Sequence, residues 1–150
     1  MMYDSLLAEC NRNNIEVYER DMRNKGLYSD GVIWINKKLS PYEKCCVLAE
    51  EVGHYYTSMG DILDQKDIRK RKQEMIARRW AYDKLVPLDK IIQAHKNGIR
   101  NRFELAEFIG VTEPFLNAAI NSYIQKYGDF INYKKYTITF NPLGVLEWLE

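Results

Sequence analysis

The chain has 150 residues, 22 Lys and Arg against 21 Asp and Glu, a net charge of +1, and 46% hydrophobic residues. That length and apolar content suit one folded domain whose core needs no disulfide or metal to form, and they exclude a disordered chain. So even a charge gives no broad field for holding DNA or an anionic membrane, which leaves any nucleic-acid contact to a local patch.

The first residues, MMYDSLLAECNRN, lack a basic stretch followed by an apolar run, so no signal peptide is expected there. Leu6, Leu7 and Cys10 instead mark a first helix over residues 3–14. Ile15–Arg20 alternates and reads as a strand, and Asn24–Gly26 and Ser29–Gly31 are turn material. Gly31–Asn36, GVIWIN, is a short β-branched run with an aromatic, hence a second strand. Together they suggest an antiparallel hairpin or meander of two or three short strands. Ser40-Pro41-Tyr42-Glu43 combines a capping Ser, a Pro at the first helical position and a Glu at the third. The helix it opens is expected to run from Pro41 to about Tyr56, with Cys46, Leu48 or Val47, and Val52 as its buried stripe.

Residues 57–68 read as a loop holding Asp61 and Asp64, and Arg69–Leu85 as a helix that stops before Pro87. Seven basic residues lie between Lys66 and Arg79 against Asp67 and Glu74, the pattern of a solvated face. Leu88–Asn97 reads as a short helix, and 102–128 as two more joined near Gly110 and Pro114. Tyr136–Phe140 is a last strand, and Pro142–Glu150 is expected to add a turn of helix. No apolar run approaches the about 18 residues of a membrane span. Cys10, Cys45 and Cys46 show no framework spacing and read as buried thiols. A cytoplasmic α+β domain covering residues 1–150 is the expectation.

The residues that carry chemistry are Glu50, Glu51 and His54. Glu50 and His54 are four apart and project from one face of a helix, with Glu51 about 100° round the axis. In an HExxH helix two ligands at that spacing grip a metal, and the Glu between them serves the metal-bound water as general base. Here Glu50 stands where the first His would be. A catalytic zinc takes three protein ligands, so another must come from elsewhere. Glu74 on the following helix, beside Met75, Ile76, Ala77 and Trp80, is the first candidate, with Asp61 and Asp64 as rivals.

The stretches GVIWINKKLSPYEKCCVLAEEVGHYYTS and QEMIARRWAYDKLVP are similar to the core of the ImmA/IrrE family of metallopeptidases. The matching residues are Leu39-Ser40, Leu48-Ala49, Glu51, Gly53, His54-Tyr55, Glu74, Ala77, Trp80-Ala81, Leu85 and Pro87. The resemblance implies a small zincin-like fold, with a short antiparallel sheet, a metal-binding helix pair, and a C-terminal helical hairpin plus a last strand. Within one domain, residues 31–87 would be the metallopeptidase core, 88–130 a helical, helix-turn-helix-like subdomain, and 131–150 a strand and tail. It implies His54 and Glu74 as metal ligands, Glu50 in the remaining ligand's place, and Glu51 as general base. Zinc is the implied cofactor. Two carboxylates with one imidazole would make a poorer Lewis acid and leave Mn²⁺ less disfavoured.

The implied activity is cleavage of a peptide bond in a helix-turn-helix repressor encoded by a phage or mobile element. An extended substrate would add to an edge strand formed by Val32, Ile33, Trp34 and Ile35. The alternative is a metal-free relative that binds and modulates a repressor without cutting it. Tyr55 and Tyr56 are placed either to pack or to steady an oxyanion. The segment around Ala106, Gly110 and Leu116 resembles a helix-turn-helix, but residues 88–130 hold five Lys and Arg against five Asp and Glu. Phosphate contacts need cations, so this hairpin reads as a packing or docking element and direct DNA binding is not expected.

Overall fold

The computed structural model describes residues 2–57 and 67–149. The expected loop over 57–68, with Asp61 and Asp64, falls almost wholly outside the described residues. The fold is α+β, and the chain divides into two compact units, Met1–Lys84 and Leu85–Glu150.

The first unit opens with α1, Met2–Arg12, which buries Tyr3, Leu6 and Cys10 on one face. Three strands follow: β1 (Glu16–Arg20), β2 (Gly26–Ser29) and β3 (Val32–Asn36). Their order in the sheet is β1-β3-β2, with β1 parallel to β3 and β2 antiparallel to it. The expected antiparallel meander is therefore wrong at β1. The expectation that Val32, Ile33, Trp34 and Ile35 form an edge strand is wrong as well, because β3 is paired on both sides. The reason is compositional. β3 is the most apolar of the three, Ile33 and Ile35 are fully buried, and the exposed edges fall to the charged EVYER and the short GLYS.

Asn36 closes β3 by donating from Nδ2 to the carbonyls of Met22 (2.9 Å) and Asn24 (3.2 Å). Four residues later α2 (Pro41–Thr57) begins. Its cap is the expected one: the Glu43 N–H donates to Ser40 Oγ at 3.3 Å. Cys45, Cys46, Leu48, Ala49, Val52 and Gly53 face inward. α3 (Asp67–Leu85) turns Ala77, Ala81 and Leu85 inward, all fully buried. Met75 and Ile76, expected beside an inward Glu74, are about half exposed at 49% and 47%. Alanines on the contact face let a helix lie close to its neighbour, which bulkier side chains would prevent.

The second unit holds α4 (Leu88–Lys96), α5 (Arg102–Ile109) and α6 (Glu113–Tyr127). Asn101 and Thr112 accept from the third N–H of α5 and α6 respectively, and Gly110 ends α5 at a φ of 94°. The Tyr123 hydroxyl donates to the Val86 carbonyl at 2.7 Å. An antiparallel sheet follows, of β4 (Phe130–Tyr133), β5 (Tyr136–Phe140) and β6 (Leu143–Glu147), with β5 central. Ile138 and Phe140 are fully buried, and Phe140 stacks on Tyr123 and Tyr127. The helical turn expected over Pro142–Glu150 is instead β6, which pairs with β5 along its whole length and buries Val145. β4 gives little signal in the sequence, because Asp129 and Lys134 bracket only four residues.

Candidate metal centre

The site forms where α2 and α3 meet, and Gly53 is the reason they meet so closely. A Cβ at Gly53 would run into the backbone of Ala77, with its carbonyl oxygen nearest and its Cα at 3.1 Å. The glycine costs α2 about 1 kcal/mol of helix propensity relative to Ala, which the contact offsets. The next residue, His54, thereby reaches across: its Nε2 lies 3.0 Å from Glu74 Oε2. The imidazole is largely covered, with 18% of its side-chain surface exposed, against 44% for Glu74. The other oxygen of Glu74, Oε1, lies 3.6 Å from Arg78 Nη2 one turn further along α3.

Glu50 and Glu51 are half-buried behind this pair. Burial is the main influence on both and raises both carboxyls above the usual carboxylate range. Glu51 is pushed to about 7, with repulsion from Glu74 and Glu50 adding to burial. For Glu50 the burial is partly countered by the Arg78 guanidinium, while Glu74 pushes in the same direction as burial. Three carboxyls and one imidazole thus share one electrostatic neighbourhood. Gly26 on β2 completes it from above, since a Cβ there would press on Val47 and lie 3.3 Å from Glu51 Cγ. β2 therefore lies directly along the Glu51 side of α2. Beyond His54 runs an aromatic chain: Tyr28 meets Tyr55 edge-on at 6.2 Å, Tyr55 meets Tyr56 at 5.1 Å, and Tyr56 lies 5.3 Å from Trp80.

Of the four residues singled out in the sequence, two touch and two lie near them. His54 and Glu74 are in contact, and Glu50 and Glu51 lie within electrostatic reach of Glu74. One imidazole nitrogen and one carboxylate oxygen converging from two helices suit zinc or a similar divalent ion as two of its donors. Among the described residues, no group of three His, Cys, Asp or Glu side chains is gathered tightly enough to hold an ion. Arg78 was not marked by the sequence reading as part of the site, and Gly53 was marked only as a matching residue, without its packing role. The signals were present: an arginine four residues after a candidate ligand, and a glycine in mid-helix where Ala would be preferred.

No helix among the described residues is long and apolar enough to cross a membrane. Comparison with curated proteins finds no match. A family profile does match, over residues 10–121: Peptidase M78, described as the IrrE N-terminal-like domain. That span takes in the end of α1, the first sheet, both helices of the site and most of α6, so the helix pair just described lies wholly inside it. On that match, covering about three-quarters of its length, the chain belongs to the Peptidase M78 family of metallopeptidases.

Proposed function

We propose that the protein is a metal-dependent endopeptidase of the zincin type that cleaves a repressor-type regulatory protein of a phage or mobile element. The observation that carries this reading is the 3.0 Å approach of His54 to Glu74 across two helices, beside the half-buried carboxyl of Glu51. His54 and Glu74 hold the ion, and Glu50 takes the place of the remaining ligand. Zinc is the first choice, and manganese is admitted by the carboxylate-rich set. When bound, such an ion supplies Lewis-acid polarisation of the scissile carbonyl and makes water a better nucleophile.

The rest of the chemistry falls to the chain. One carboxylate oxygen of Glu51 takes the proton of the attacking water and passes it to the leaving amine. Burial, with repulsion from Glu74 and Glu50, raises its pKa to about 7, which suits a group that must both accept and release a proton. Substrate docking moves from β3 to β2. β2 has an unpaired outer edge and lies against the Glu51 side of α2, so an extended peptide adding there would pass over the carboxyl. The same reading puts the protein in the cytoplasm, where a repressor works and three cysteines outside any disulfide stay reduced.

The second reading, a non-catalytic binder of a repressor, is favoured by two observations: Glu50 in place of His, and the Arg78 guanidinium on the second oxygen of Glu74. One experiment separates them. The purified protein is titrated with zinc and with manganese by calorimetry, then incubated with the repressor encoded beside it, with and without chelator. The enzyme reading expects near-stoichiometric metal and chelator-sensitive cleavage. It also expects Glu51→Gln to abolish cleavage while sparing the fold, the metal and the repressor complex. Repressor control unchanged in Glu51→Gln establishes the binder instead.

A further inference from the structure

The second unit contains a cavity unrelated to the helix pair. It lies between the end of α4, residues 99–101, the start of α5, and β6, and its volume is about 160 Å³. The floor is apolar: Ile91, Leu105 and Val145 line it, each at most 8% exposed. The rim is cationic or basic: His95, Arg100 and Arg102 line it, and no Asp or Glu does.

The cations of the rim are only partly used. Arg102 donates from Nη1 to Asn117 Oδ1 at 2.7 Å, which anchors its guanidinium to α6 and leaves the other N–H groups of the fork. Among the described residues, neither the His95 ring nor the Arg100 guanidinium has a hydrogen-bond or ion-pair partner. The nearest carboxylate along the chain, Glu104, does not line the cavity and accepts from Asn101 Nδ2 at 2.7 Å. At the N-terminus of α5 the same asparagine accepts from the Glu104 N–H. The binding capacity therefore rests on side chains: guanidiniums at the mouth, hydrocarbon below.

We propose that this cavity binds a small carboxylate with a compact apolar body, such as a single ring or a short branched chain. An apolar cavity of roughly 150 Å³ holds one benzene ring, so the volume suits such a body. The planar fork of Arg matches a carboxylate at two points, and the rim lacks a competing anion. The site is independent of the metallopeptidase reading.

Benzoate is the probe. The full-length protein, labelled with nitrogen-15, is titrated with benzoate, benzyl alcohol and inorganic phosphate at millimolar concentrations. Benzoate is expected to shift the amides of Ile99–Arg102 and Leu143–Val145 in a saturable way. Benzyl alcohol, which keeps the ring and loses the charge, should bind at least about tenfold more weakly, the usual scale for a lost charge-assisted hydrogen bond. Arg100→Gln alters an exposed residue without partners, so the fold is retained, and benzoate affinity should fall about tenfold or more. The proposal is overturned if benzoate shifts no lining amide. It is equally overturned if phosphate gives the same shifts at the same concentration, or if Arg100→Gln leaves the benzoate isotherm unchanged.

Discussion

Glu50 puts a carboxyl where a histidine would offer a neutral donor. Its burial among Glu51 and Glu74 makes the charged form costly, so an ion must overcome that cost before the group can bind. Glu50→His removes the cost and supplies a nitrogen that zinc prefers. Zinc affinity measured by competition with a chromophoric chelator should rise by roughly tenfold, 1.4 kcal/mol, or more. A second residue-scale expectation concerns Glu19, whose oxygens accept from Lys44 Nζ and Tyr3 Oη, each at 2.7 Å. Those bonds, Lys44 first, hold its carboxyl below the usual range. A group depressed in this way stabilises the fold above the ordinary carboxylate pKa, and the gain is lost as pH falls through the lowered value. Glu19 is partly exposed, so solvent screening keeps the effect modest. Tyr3→Phe should cost about 1 kcal/mol in urea unfolding at pH 7, a difference that shrinks in strong acid. The spacing of Glu50, Glu51 and His54 was legible because helical periodicity alone fixes which side chains share a face. The part played by Arg78 was not, because an arginine in a run of seven basic residues carries no mark of which one turns towards a carboxylate.

At the scale of elements, the contact of α2 with α3 sets the geometry of the centre. Gly53→Ala tests it with an inverted sign. In an open helix the change would stabilise by up to about 1 kcal/mol. Here the methyl meets the Ala77 backbone, so urea unfolding should show a loss of about 1–3 kcal/mol, the range for overpacking. Zinc binding should weaken in parallel, as His54 and Glu74 are pushed apart. Helices were the legible elements, since capping Ser40, Gly110 and Pro87 punctuate long periodic runs. Strands were read less well. β3 was found as a segment, but its central place follows from pairing with residues 16 positions away, which no local pattern records. β6 was read as helix because Pro142 and Gly144 leave too short an alternation to see.

For the whole molecule, all three cysteines are buried and outside any disulfide, and burial pushes the Cys10 thiol up to about 11. A native sample at pH 8 should therefore react with a thiol reagent at least about a hundredfold more slowly than the same sample in denaturant, where all three sites become accessible. Reducing agents should leave thermal stability unchanged. The two-unit division at Lys84 and Leu85 falls at the last residue of α3, two residues before the Pro87 that marked the end of that helix in the sequence. The central position of β3 bears on the centre in a way that the ligands alone do not reveal. Only residues 37–40 separate this doubly paired strand from the helix that carries Glu50, Glu51 and His54. The root of that helix is thus among the stiffest points of the first unit, pinned by backbone ladders on either flank. Length changes in the stretch joining β1 to β2 would disturb the Met22 and Asn24 carbonyls that accept from Asn36. An extra residue in the tether before Pro41 would instead shift Glu51 against β2, which lies along its side of α2.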